Sequence, residues 1–108
     1  MGIIMELSEI INELKFFLEK KNWLNLEPTD IFIHLIEELG EVGRYLLFLS
    51  GYKTEKDGHI KPTKETVKME LVQAFSLLLH LALRLDIDLQ KAWINEFKKI
   101  KERFNNSS

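Results

Sequence analysis

Residues 71–85 read LVQAFSLLLHLALRL, with Leu, Val, Phe or Ala at eleven of the fifteen positions. At helical periodicity, apolar residues this dense wrap around far more than one stripe. Such a helix must be covered on several sides, so it predicts the central member of a bundle or a helix shared with another subunit. The run is interrupted by Gln73, Ser76, His80 and Arg84 and is shorter than the roughly 20 residues a bilayer span requires. It therefore predicts a core helix rather than a membrane helix, starting near Thr63 or Lys64 and ending near Leu85.

The rest of the chain offers little to cover it. At 108 residues the sequence predicts a single helical domain over 1–104, with a frayed Asn-Asn-Ser-Ser tail at 105–108. The remaining periodic segments predict three further helices. Ile3 to Lys20 places Ile3, Leu7, Ile10, Ile11, Leu14, Phe17 and Leu18 at three- and four-residue steps. A second helix should begin within about two residues of Thr29, with Pro28 in its opening turn and Thr29 or Asp30 as cap, and end near Ser50 and Gly51. Asp88 is a plausible cap for a final helix whose face comprises Leu89, Ala92, Trp93, Glu96, Phe97, Ile100 and Phe104. The expected architecture is thus an all-α four-helix bundle completed by dimerisation.

Charge and composition exclude several functions. The formal net charge is -2 with both signs interspersed, which does not support a broad surface for polymeric nucleic acid. Cysteine is absent, excluding disulfides, thiolate catalysis and cysteine-ligated metals. The opening residues are acidic, without the basic segment and clean apolar core of a secretion signal, so a soluble, cytoplasmic protein with no membrane partner is expected.

The chemistry lies in the second helix. Within FIHLIEELGEVGRYLLFL, Glu38 and Glu41 are three residues apart and Glu37 and Glu41 four, so their carboxylates converge on one rim. A solvated acidic face accounts for such spacing; so does a shared divalent cation or cationic side chain that relieves the repulsion. Gly40 and Gly43 each cost roughly 0.5–1 kcal/mol of helix preference and predict close approach by another helix or ligand, a local kink being the alternative. Arg44 is either a partner for an acid on its own helix or a phosphate contact. The 52–62 loop, with Lys53, Lys56, Lys61 and nearby Lys64, is either a solvated connection or a cover for a polyphosphate. Trp23 either packs the 22–27 connection or contacts a base, and His80 is read as a hydrogen-bonded core or interface histidine. Antiparallel packing of the second and third helices would bring Glu70 across from Glu38 and Glu41, with Gln73 adding an amide oxygen; such an oxygen-rich set suits Mg2+ or Mn2+.

The Glu37-Glu38-Leu39-Gly40-Glu41 segment, followed by Glu70-Leu71-Val72-Gln73 on the next helix, resembles the MazG-like all-α nucleoside triphosphate pyrophosphohydrolases. The likeness extends over about Phe16 to Phe104, including Trp23 before the acidic helix and the LDIDL break at Leu85 to Leu89. It implies Mg2+-dependent cleavage of an NTP or dNTP to the monophosphate and pyrophosphate, in a homodimer or homotetramer. Glu38, Glu41 and Glu70 would be metal ligands and Glu37 would support the site or orient water. Lys99 and Arg103 match basic positions near the family's phosphate end. Two positions depart from the pattern: Gln73 stands where it has Asp, and Ile100 where it commonly has Asn. Gln73 removes a negative charge and Ile100 an amide, so weakened turnover is expected. Two other outcomes stay open: a noncatalytic nucleotide-binding or regulatory protein of the same fold, and a structural helical protein that binds a partner.

Overall fold

The computed structural model describes residues 2–105, and among them the chain is an all-helical bundle with no strand. Four α-helices follow in order: α1 (Leu7–Lys20), α2 (Pro28–Leu49), α3 (Lys64–Arg84) and α4 (Leu89–Asn105). A single 3-10 turn, Glu55–Asp57, lies in the loop between α2 and α3. The tail expected at 105–108 lies outside the described residues except for Asn105, which is the last residue of α4.

Helix ends follow local chemistry. Thr63 caps α3 by accepting from the Thr66 amide at 3.1 Å, and Asp88 caps α4 by accepting from the Lys91 amide at 3.0 Å. Pro28 sits at the start of α2, where its missing N–H costs nothing. The residue flanking that start is Glu27, not Thr29 or Asp30 as the sequence suggested, since both of those lie inside the first turn. The first helix also starts later than its apolar rhythm implied. Ile3 and Ile4 are 90% and 95% exposed with nothing to pack on, and α1 begins only after Glu6, whose amide donates to the Glu9 carboxylate at 3.2 Å.

Two helices end in the same device. Asn22 after α1 and Asp86 after α3 both adopt left-handed backbone, with φ of 60° and 57°. The Trp23 amide then donates to the Leu18 carbonyl at 2.9 Å, and the Ile87 amide to the Ala82 carbonyl at 2.8 Å. These closures satisfy carbonyls at the helix ends and fix the direction in which the chain leaves.

The core is built on α3, which packs along α2 and meets α1 at its C-terminal half. Ile31 and Leu35 of α2, Val67, Ala74, Leu79 and Ala82 of α3 and Leu18 of α1 are buried. His80 is 4% exposed, and its Nε2 lies 3.3 Å from the Leu24 carbonyl; a carbonyl only accepts, so Nε2 carries the proton. With the Arg84 Nε donor to the Leu26 carbonyl at 2.9 Å, it binds the 22–27 connection to the end of α3. By length and apolar composition α3 also meets the requirement for a membrane span, because the helix runs beyond the apolar segment to 21 residues.

α4 stands apart. It is anchored at its start, where Gln90 Oε1 accepts from the Ser8 amide at 2.9 Å, and has no extended packing against another helix. The radius of gyration is 17.6 Å, against about 13 Å for a compact domain of this length. Asp86→Val would force a β-branched residue into left-handed backbone and should cost about 1–2 kcal/mol of unfolding free energy, whereas Asp86→Gly should be neutral or stabilising; urea titrations of the two variants check this.

Candidate functional site, a carboxylate cluster across two helices

Because α2 and α3 run antiparallel, residues near the middle of α2 face residues in the first half of α3. Glu38 and Glu41, one turn apart on α2, thereby meet Glu70 on α3. The Glu38 carboxylate lies within hydrogen-bonding reach of the Glu70 carboxyl. That hydrogen bond, then partial burial, then the charges of Glu38 and Glu41, hold the Glu70 pKa above the usual carboxylate range, while Arg44 pulls it down.

Two basic side chains flank the acids. His34 Nε2 lies 3.2 Å from Glu38 Oε1, one turn earlier on the same helix. Arg44 donates from Nη2 to Glu41 Oε2 at 3.2 Å and from Nη1 to the Ile60 carbonyl at 3.2 Å. Of the two roles read for Arg44, the structure shows the ion pair on its own helix, and adds a link to the loop. Phe48 and His59 meet edge to face with ring centres 6.3 Å apart, a second tie between α2 and that loop. The 52–62 segment is therefore held beside the acids.

Other residues singled out in the sequence lie elsewhere. Glu37 is exposed and is not among the charges that act on Glu70. Gln73 is exposed and lines a shallow surface groove with Glu65, Lys68, Met69 and Val72, and no hydrogen bond joins its side chain to the cluster. Trp23 packs edge to face on Phe17 with ring centres 5.8 Å apart, yet stays 46% exposed. Lys99 pairs with Glu96 at 3.3 Å on α4, and Arg103 lies over the Phe104 ring at 5.1 Å. Both sit on the helix that does not pack along α2 or α3. Around Gly40 and Gly43 the expected close approach is missing within the chain: a Cβ added at either meets nothing within 4 Å. The sequence reading missed the His34–Glu38 contact, although its i,i+4 spacing was the available signal.

Among the described residues no three His, Cys, Asp or Glu side chains form a ready-made metal-binding group. The donor chemistry of Glu38, Glu41 and Glu70 nevertheless suits a hard dication: all offer carboxylate oxygens, and their mutual repulsion is what a cation would relieve. Compared with known protein families, characterised proteins and solved structures, the chain finds no match.

Because Glu70 holds its proton more tightly in the folded state, the cluster contributes least to stability above the raised folded pKa and loses that penalty as pH falls toward the ordinary carboxylate value. Glu70→Gln should accordingly raise the thermal midpoint at pH 7.5 and change it little at pH 4, as differential scanning calorimetry at the two pH values would show.

Proposed function

We propose that the chain is a metal-dependent nucleoside triphosphate pyrophosphohydrolase of the MazG-like kind, cleaving an NTP or dNTP to the monophosphate and pyrophosphate. The observation that carries this reading is the convergence of Glu38, Glu41 and Glu70 across two helices, where the Glu38 and Glu41 carboxylates raise the Glu70 pKa. Mg2+, or Mn2+, is the cofactor proposed. Glu38, Glu41 and Glu70 would hold it, and when bound it would neutralise phosphate charge and lower the pKa of water.

The chain's own groups supply the remaining roles. Arg44 is already directed at Glu41 and at the loop; on release from Glu41 its guanidinium would be free for a phosphate oxygen. The loop beside the site carries Lys53, Lys56 and Lys61, cations suited to a polyphosphate. Glu37 would orient water, Trp23 offers an exposed ring face for a base, and Lys99 and Arg103 would meet phosphate only where α4 is brought to an acidic cluster. In this reading the protein is a cytoplasmic homodimer or homotetramer with no membrane or nucleic-acid polymer as partner.

One observation favours the noncatalytic nucleotide-binding alternative. Gln73, where the resemblance requires Asp, contributes no charge and lies outside the carboxylate group. Three carboxylates bind a dication less tightly than four.

The test is a panel of canonical and modified nucleoside triphosphates with Mg2+ and separately Mn2+, reading monophosphate and pyrophosphate together. Equal release of both products is expected, reduced on the order of 10²-fold or more by Glu38→Gln or Glu41→Gln. Saturable nucleotide binding by the folded protein without release of either product would favour the noncatalytic reading; neither binding nor release would overturn both.

A further inference from the structure

The chain exposes 8835 Å² to solvent, whereas a compact monomer of 12.7 kDa exposes about 6,200 Å². The excess, roughly 2,600 Å² per chain or about 5,200 Å² for a pair, is at the upper end of the total that permanent dimers bury. Part of the exposed apolar area forms two surfaces. One lies on α4, where Trp93 stacks on Phe97 with ring centres 4.6 Å apart and Ile100 continues the row one turn on. The other lies on the α2–α3 hairpin. Ile36, Leu39 and Leu46 of α2 and Leu71, Phe75 and Leu78 of α3 are each about half exposed. At 100° per residue both rows sit about a quarter turn from the buried seam in the same sense. In an antiparallel pair this puts them on one side of the hairpin. α1 touches α3 only slightly, and these six side chains remain exposed, so that side of the hairpin is bare.

The two surfaces also match in charge. α2 carries four acids to one arginine, and α4 carries five bases to two glutamates, giving -3 against +3. Within one chain they are held apart. Asp86 in left-handed backbone, the Ile87–Ala82 hydrogen bond, the Asp88 cap and the Ser8–Gln90 bond together set the direction in which α4 leaves α3.

We infer that α4 is an exchanged arm: its Trp93–Phe97–Ile100 row seats on the bare side of the α2–α3 hairpin of a second copy of this chain, and the exchange is reciprocal. Gly40 and Gly43 lie among the α2 residues of that side, where open space above the backbone lets an incoming helix approach. The inference goes beyond the nucleotide reading and does not depend on it, because it concerns which surfaces meet and not what the carboxylates do.

The absence of native cysteine makes the test direct. Two full-length chains with tags of different size, one carrying Leu39→Cys and the other Ile100→Cys, are mixed and oxidised. A disulfide joining the two tags is expected. In parallel, sedimentation should give twice the monomer mass for the unsubstituted protein, and Phe97→Asp, at an exposed position, should weaken association by about 100-fold or more with helical circular dichroism retained. A monomer at micromolar concentration would overturn the inference. So would a dimer that persists in Phe97→Asp, or one in which the two cysteines bridge only when placed in the same chain. Loss of nucleotide cleavage in an intact, cross-linkable dimer would count against the proposed activity alone.

Discussion

The antiparallel seam between α2 and α3 is the constraint from which the other features follow. It buries Ile31 and Leu35 of α2 and Val67 and Ala74 of α3, and the same antiparallel register sets Glu38 and Glu41 near Glu70. Three carboxylates in one place oppose folding through mutual repulsion. The Arg44 guanidinium one turn beyond the acids limits the opposition, and His34 contacts Glu38 one turn before them. Apolar packing holds the helices in a register that the charges alone would not choose. Locally unfavourable electrostatics maintained by surrounding structure are the usual condition of a site with a chemical task.

What the sequence reveals here is what lies along one helix; what it hides depends on the angle between helices. The Glu38–Glu41 spacing, the Thr63 and Asp88 caps and Pro28 at the start of α2 are all set by neighbours within four residues, and all are present in the structure. The opposition of Glu70 to Glu38 required only that two long helices pack antiparallel. Gln73 was harder. It follows Glu70 by three residues, a 300° step, so the two side chains diverge by 60° around α3, enough to leave one in the seam and the other in solvent. The late start of α1 has a similar origin: Ile3 and Ile4 keep the helical rhythm, but nothing in the fold stands opposite them. Periodicity states which residues would share a face and is silent on whether a partner face exists.

The same distinction explains α3 and α4. A helix as apolar as α3 can be satisfied by lipid, by other helices of its own chain, or by a second chain, and its sequence looks alike in all three cases. The α2 seam and the buried His80, bonded to the Leu24 carbonyl, show that protein covers at least two of its sides. α4 is a different case, with a clean amphipathic face but no helix of its own chain laid along it. An isolated helix of 17 residues is marginal in water, and an apolar face left in solvent forgoes what usually stabilises one. A helix of this kind is economical only when its face is covered.

Coverage by a second copy would also change the chemistry of the seam. Gly40 and Gly43 are unfavourable in a helix that nothing approaches, and within one chain nothing does. A helix lying above them would lower the local dielectric beside Glu38 and Glu41 and strengthen every charge interaction there, both the repulsion among the acids and the attraction of any cation. It would also bring the positive charge of α4 toward acids that, in the single chain, rely on His34 and Arg44 alone among their nearest partners. The Arg44 bond to Glu41 is then no longer required to hold the acids together. Freed from it, Arg44 remains attached through Ile60 to a lysine-bearing loop, an arrangement suited to an anionic ligand. Association of two copies would therefore be coupled to the chemistry of the seam through α2, whose one side carries the glycines and apolar residues and whose other sides carry the acids.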